Sequence, residues 1–488
     1  MNTQLGNFYL LMLCTSLFVG LNCAISQEGN YTFENYGNQS VLLNGNVTGS
    51  ASDLGLTYYN PARLALIEKP SFVISGKAYQ LDNYTLTDVF ESEVDLSTSK
   101  FNGIPSIVAG TFSLKFLPKH KFAYAILSRY RSDIGINYSS GVQQGSEFFP
   151  FDDEVRRVTD IAFGESLREE WYGVSWAYPI SENFGIGASL FGSIYQTSGR
   201  SELNFTGQSE DNSVSSYDFK LNYGQKSYGL FMKLGLAWKL GKVDMGANFS
   251  LPFIHLKSTA NLKYEEFIIG VSSQEDFFGF ADLTDLQSTR RTAASISLGA
   301  GIPIGKSILH LNGSWYSRVR SYSRIQVPEI ETRADNFLAD PFLEEFRSVV
   351  NFGMGANIYI SESVKFIGSF SSDYGATVSS VNLFDVVNDG EEQVNVFDDF
   401  WHYGFGTDIS VKWGDIVVGA TYSRTTGQIE EQTDIPDDMP EDETSDIFTD
   451  IKFERWRFIV GLEIPLLQGK LKRLEQTEEN EDTEENND

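Results

Sequence analysis

The feature that most constrains this chain is a period-two alternation of apolar and polar residues, repeated through most of its length. Tyr228, Leu230, Met232, Leu234, Leu236 and Trp238 are all large and apolar, and Gly229, Phe231, Lys233, Gly235 and Ala237 stand between them. The next run sets Val243, Met245, Ala247, Phe249 and Leu251 against Asp244, Gly246, Asn248 and Ser250. Only Leu240–Lys242 separates the two runs, which predicts a tight hairpin.

The same unit recurs. Tyr172–Tyr178 leads through Pro179–Asn183 into Phe184–Leu190, and Ala294–Ala300 through Pro303–Lys306 into Leu309–Trp315. Val350–Ile358 leads through Ile360–Ser363 into Val364–Phe370, and Trp401–Ile409 through Lys412–Gly414 into Ile416–Tyr422. Ile104–Phe116 turns at Leu117–His120 into Lys121–Ile134. With single strands near Pro70–Tyr84 and Ile451–Ile464, the total is about fourteen, the even number that a closed barrel with both ends on one side requires.

The connections alternate in length. Six are short turns, and seven are long, near 85–103, 135–166, 199–225, 258–288, 322–343, 376–398 and 429–449. Long loops on one side and short turns on the other mark a transmembrane barrel with extracellular loops and periplasmic turns. The strands are about ten to fifteen residues long, enough to cross hydrocarbon when tilted. All seven tryptophans fall in or beside them, which suits an interfacial girdle. The fold class expected is therefore all-β: a transmembrane antiparallel barrel in a bacterial outer membrane, with outer-membrane lipid as its surroundings.

Composition narrows the rest. A formal net charge of −29 argues against nucleic acid as a partner. Residues 1–26 have the shape of a signal peptide, with an apolar run Phe8–Ala24 and small residues before Gln27, although Met1–Asn7 carries no Lys or Arg. A lipid anchor at Cys23 is the rival reading, and Asn22 fits it poorly. Both cysteines, Cys14 and Cys23, lie in this leader, so a mature chain has no disulfide and no Cys-bound metal. Residues 27–69 precede the barrel at 70–464, and 465–488 form an acidic periplasmic tail expected to be disordered.

The segment before the first strand reads Gly49-Ser-Ala-Ser-Asp-Leu-Gly-Leu-Thr-Tyr-Tyr-Asn60-Pro61-Ala62-Arg-Leu64, then Lys69-Pro70-Ser71-Phe72. It resembles the start of the outer-membrane long-chain fatty acid transporter family (the OMPP1/FadL/TodX-like proteins), whose members carry an NPA motif ahead of a fourteen-stranded barrel. The motif covers about twenty residues; Arg63, where many members have a small residue, and the acidic tail depart from it. The resemblance implies that residues 27–69, with Asn60, Pro61 and Ala62, form a hatch inside the lumen. It also implies that hydrophobic ligand moves past the hatch and leaves sideways through the wall. Pro61 suits such a plug because it fixes φ and needs no ladder partner, and a tight turn into the barrel is the plainer reading of the same residues.

Pleat arithmetic supplies candidate ligand-binding residues. His310, Arg318 and Arg320 are expected to face inward after Lys306, as are Arg455 and Arg457 on the last strand. Clustered Arg can hold a fatty carboxylate, or pair with lumen acids to stabilise the plug. Phe191, Tyr195 and Phe231 also point inward and either line an apolar path or pack on the hatch. Aromatic clusters in the loops (Phe148–Phe151, Phe277–Phe280, Phe337–Leu343) suit a capture groove, a protein partner or loop-to-loop packing. The four histidines have no metal spacing and no catalytic constellation stands out, so neither an enzyme nor a cofactor is expected.

The function expected is passive uptake of a hydrophobic small molecule, such as a long-chain fatty acid or an aromatic hydrocarbon. No energy-coupling box is evident near the mature N-terminus. The alternative is a non-transport barrel acting as a scaffold or secretion-system component, with partners at the long loops or the tail.

Overall fold

A computed structural model describes residues 29–67, 71–89, 92–100, 105–139, 141–144, 154–270, 276–330, 342–379, 399–431 and 447–465. The leader, the acidic tail and the clusters Phe148–Phe151 and Phe337–Leu338 lie outside the described residues.

The wall is one closed antiparallel sheet of 14 strands. In chain order these are β1 (Ser71–Val89), β2 (Ser92–Lys100 and Pro105–Phe112), β3 (Lys121–Ser139), β4 (Glu154–Ser181), β5 (Phe184–Ser209), β6 (Val214–Leu240) and β7 (Val243–Ser250 and Ile254–Ile269). There follow β8 (Phe277–Leu286 and Ser295–Ile304), β9 (Ser307–Tyr316), β10 (Val349–Ser361), β11 (Val364–Asp373), β12 (Phe400–Val411), β13 (Gly414–Glu431) and β14 (Ile447–Pro465). Each strand pairs with its sequence neighbour, and β1 closes the ring on β14 from Ser71↔Pro465 to Thr87↔Asp450. The short turns fall where the sequence puts them. Gly241 and Gly305 take φ of +62° and +63° in two of them, a backbone that two-residue hairpin turns demand.

The long connections differ from expectation. The segment expected as a loop over 199–225 is mostly ladder, because β5 runs to Ser209 and β6 restarts at Val214. Strands β4, β5 and β6 span 28, 26 and 27 residues, far beyond the roughly 9–11 that cross a bilayer. Above the apolar band water meets the outer face, so the hydrophobic alternation fades while the hydrogen-bond ladder continues.

Side chains sort by the pleat. Tyr124, Tyr172, Val174, Leu190, Leu234, Leu298, Val350, Met354, Phe405, Val418 and Val460 stand exposed on the outside around the ring. A continuous exposed apolar band of this kind has hydrocarbon as its natural solvent.

Inside, residues 29–67 fill the barrel. They form the helical turns Gln39–Leu42 and Leu56–Tyr59 and a 3-10 stretch Pro61–Leu66, and most of their side chains are buried. Short polar links bind them to the wall. Ser50 Oγ bonds His310 Nδ1 at 2.7 Å, Ser189 donates to Thr57 O, Ser369 to Leu42 O, and Gln39 to Asp408. Val41, Leu42, Leu43, Leu56 and Leu64 pack on wall residues Ala123, Ala177, Ile367, Val417 and Ile459.

Close approach is made possible by inward glycines. A Cβ on Gly187 would stand 2.6 Å from Ala62 N, and one on Gly299 2.7 Å from Gly49 N. Gly187→Ala is therefore expected to cost about 1–3 kcal/mol by overpacking. The cost should appear as a lower temperature for the folded-to-unfolded mobility shift on gels. Gly313→Ala, whose Cβ meets nothing within 4 Å, should leave that temperature unchanged.

Candidate functional site

The inner segment is knotted by Asp53. Its carboxylate accepts hydrogen bonds from Asn38 N, Ser40 N, Ser40 Oγ and Gly55 N at 2.7–2.9 Å. Burial pushes this carboxyl above its ordinary value, and the bonds from Ser40, Gly55 and Asn38 oppose the rise. Asn60 does the same for the motif: its Oδ1 accepts from Ala62 N, while its amide donates to Thr48 O and to Leu236 O of β6. Pro61 opens the 3-10 stretch, where its missing N–H leaves nothing unsatisfied.

Above this segment, on the side of the long connections, lies a cavity of about 130 Å³. Its aromatic lining includes Tyr58 of the inner segment with Trp171, Phe231 and Tyr316 of the wall. Trp171 stacks on Phe231 with ring centres 4.3 Å apart. Burial raises the Tyr58 phenol above its usual range, so the ring presents a neutral face.

The charges in the lining divide into two kinds. Glu169 is neutralised by Arg290 through bonds of 2.7 and 3.1 Å, and it also accepts from Trp171 Nε1 and Ser193 Oγ. Glu34 is bound by Arg457. Arg129 and Lys233 have no such partner among the described residues. The Arg129 guanidinium donates to Tyr31 O and Tyr130 Oη, and its Nη1 has no hydrogen-bond partner. Lys233 Nζ donates to Ser250 Oγ at 3.0 Å and lies 4.1 Å from the Tyr58 ring centre. Two buried basic side chains thus flank one aromatic ring beside an open space.

The wall is interrupted next to this cavity. The upper part of β2 pairs with β1 from Val89↔Ser92 to Gln80↔Lys100, and the lower part resumes at Gly76↔Pro105. Strand β3 pairs with β2 only from Phe112↔Phe122 to Ile107↔Leu127. Among the described residues no ladder joins upper β2 to upper β3. At that point β3 bulges between Ser128 and Tyr130, bringing Arg129 and Tyr130 into the cavity lining.

A second irregularity lies across the barrel. β7 is broken after Ser250 and β8 after Leu286, and the segment 287–294 turns inward to pair with the chain at Ile325. Arg290 is delivered to Glu169 by this inturned segment.

No family model matches the sequence, and neither does any curated protein. Solved structures do match. The toluene transporter TodX of P. putida superposes with a TM-score of 0.56 over 89% of this chain and 99% of its own, at 11% identity. A FadL homologue of Pseudomonas aeruginosa gives 0.50 over 92% and 100%, also at 11% identity. The chain has the TodX fold. The barrel read from alternation and the family resembled by the NPA motif therefore meet in one architecture, and the TodX fold spans nearly all of both chains.

Within the TodX fold, the residues singled out from sequence scatter. Of the eight candidate ligand residues, Phe231 lines the cavity. Phe191 and Tyr195 are fully buried behind it; Phe191 packs on Trp171, and Tyr195 lies under the Arg290 guanidinium at 4.0 Å. His310 is buried against Ser50, Arg455 pairs with Asp82 at 2.5 Å, and Arg457 with Glu34. These three face inward as expected, and each is taken up by a neighbouring side chain. Arg318 and Arg320 do not face inward. β9 ends at Tyr316, and the chain re-enters a separate small sheet at Val319 with an irregular register between Val319 and Tyr322, so period-two alternation is lost: Val319 and Tyr322 are buried, while Arg320 is exposed and Arg318 pairs with Glu345 at the surface. Of the loop aromatics, Phe278 and Phe280 stand exposed on β8, whereas Phe342 is buried beneath Tyr223.

The site residues not singled out are Arg129, Glu169, Lys233 and Arg290. Lys233 had a signal, a lone cation on the inward face of an otherwise small or apolar row. Because Glu169 and Arg290 are both buried, Arg290→Met should cost about 3–5 kcal/mol in unfolding free energy by stranding the carboxylate. Arg290→Met combined with Glu169→Leu should recover most of the loss, as a double-mutant cycle of denaturant unfolding would record.

Proposed function

We propose that this protein is a bacterial outer-membrane channel for passive passage of hydrophobic small molecules, and that its ligand carries an acidic head on an apolar body. The observation that carries the reading is the cavity: it holds two basic side chains without a carboxylate partner among the described residues and touches the wall where the ladder stops. A carboxylate head seated between Arg129 and Lys233 gains charge-assisted bonds. The Tyr58, Trp171 and Phe231 rings offer the apolar body a dry surface. At about 130 Å³ the space takes a head group or one aromatic ring rather than a whole long chain, since pockets for whole ligands start near ~300 Å³. The remaining chain of a fatty acid would run toward the interruption between β2 and β3, and so to the bilayer.

TodX, a toluene transporter, agrees in class. Toluene is neutral, so the basic groups of this cavity favour the acidic side of the hydrophobic class here. Residues 29–67, which fill the lumen, act in this reading as the hatch that keeps polar solutes out.

The test is competition binding to the purified barrel with palmitate and with hexadecanol. Arg129→Met/Lys233→Met should weaken palmitate about tenfold or more, as expected for two charged hydrogen bonds, and leave hexadecanol unchanged. Equal weakening of both ligands would remove the carboxylate seat while keeping transport. Saturable binding of neither would turn the reading to a scaffold barrel.

A further inference from the structure

The outer face of β3–β7 changes character along one register row. Arg131 of β3 is paired with Arg168 of β4, Arg168 with Gln196 of β5, Gln196 with Lys226 of β6, and Lys226 with Thr259 of β7. These positions alternate with buried inward ones, so their side chains leave the barrel together. In the next row below, Glu170 on β4 is followed by the apolar Ile194 on β5 and Tyr228 on β6, and one row further down stand Tyr172 on β4, Leu230 on β6 and Ile254 on β7. Lys257 joins the cations from the adjacent row, opposite Tyr228. The row therefore lies where the hydrocarbon-facing band ends.

These cations differ from those farther out on the same strands. There Lys220 pairs with Asp218 at 2.8 Å and Lys263 with Glu265 at 2.9 Å, each acid two residues along the same strand, and Arg200 lies 3.9 Å from Glu202. In the row above the apolar band, Arg131, Lys226 and Lys257 make no ion pair among the described residues. Arg168 makes an ion pair with Asp133 at 3.8 Å, as loose as that of Arg200 with Glu202. The other acids nearby are Glu170, whose carboxylate is bound by Tyr172 Oη at 2.6 Å, and Asp285. In a chain of net charge −29, a cluster of four cations, three of them without an ion pair among the described residues, calls for an anion from outside.

The same row borders a concavity of about 600 Å³ whose lining includes Arg168, Gln196, Ser198, Lys226, Thr259 and Asn261. Strands stand about 4.8 Å apart, so Arg168 and Lys226, two strands from each other, are separated by roughly 10 Å. That spacing admits a headgroup bearing more than one phosphate, with amide and hydroxyl donors between the cations.

We infer that the outer face of β3–β7 is a binding site for the phosphorylated headgroup of a membrane glycolipid, held by Arg131, Arg168, Lys226 and Lys257 while its acyl chains lie on the apolar band below. Phosphate takes charge-assisted bonds from Arg and Lys, and basic clusters at a membrane interface are its usual seat. The inference rests on the outer-membrane reading, not on transport, and its test measures no uptake.

The full-length protein in detergent is titrated with diphosphorylated lipid A, with the same lipid stripped of phosphate, and with inorganic phosphate. Wild type should bind the phosphorylated lipid saturably, and Arg168→Gln/Lys226→Gln/Lys257→Gln should weaken it at least tenfold. Arg168→Lys/Lys226→Arg/Lys257→Arg should retain binding, and so should Lys220→Gln/Lys263→Gln. Undiminished binding by the glutamine variant would overturn the site, as would equal binding of the dephosphorylated lipid. Inorganic phosphate competing at the affinity of the lipid would overturn the lipid source and leave a free-anion site. A palmitate experiment that fails for the cavity leaves each of these outcomes readable.

Discussion

Backbone polar groups facing hydrocarbon must find their partners within the wall, and here the pairing of β1 with β14 provides that closure. The other features depend on it. A closed ring of this size encloses a volume that wall side chains alone do not fill, so residues 29–67 fill it. The exterior carries a continuous apolar band, and polarity is displaced inward and to the ends. Where the ladder stops, between upper β2 and upper β3, the lapse lies beside the cavity.

Charge is handled by place. Deep in the barrel, cations are matched: Arg290 with Glu169, Arg455 with Asp82, Arg457 with Glu34. Such pairs fix geometry more than they add stability, since desolvation offsets much of their attraction. Arg129 and Lys233 break the pattern inside, and Arg131, Lys226 and Lys257 break it outside. In both places the exception borders an open space, the first a cavity beside aromatic rings and the second a concavity at the edge of the apolar band.

Much of the wall could be read from the residues. The alternation around Leu230–Trp238 and Val243–Leu251, joined by a two-residue turn at Gly241, gives strand, face and connection at once. Inward positions followed for Arg455, Arg457 and His310 because β14 and β9 run unbroken past them. Arg318 and Arg320 escaped because period-two counting fails once a strand ends, and nothing in Ser317-Arg318 announces the break. Arg290 escaped for a related reason. It lies on the inturned stretch 287–294, whose partner at Ile325 is set by three-dimensional packing rather than local pattern. The loops were over-read for want of apolar contrast. Where water meets the outer face, Lys263 and Asn261 mark a strand as poorly as they would a loop.

The inner segment stands at the start of the chain, yet its partners range from Arg129 on β3 to Arg457 on β14. It touches nearly the whole circumference, and inward glycines bring the wall to within contact of its backbone. Filling and seam are therefore coupled, because Arg457 of β14 holds the inner segment at Phe33 O while β14 itself closes on β1. The seam joins the two strands that lie farthest apart in the sequence of the wall, the pairing with the largest loop-closure cost.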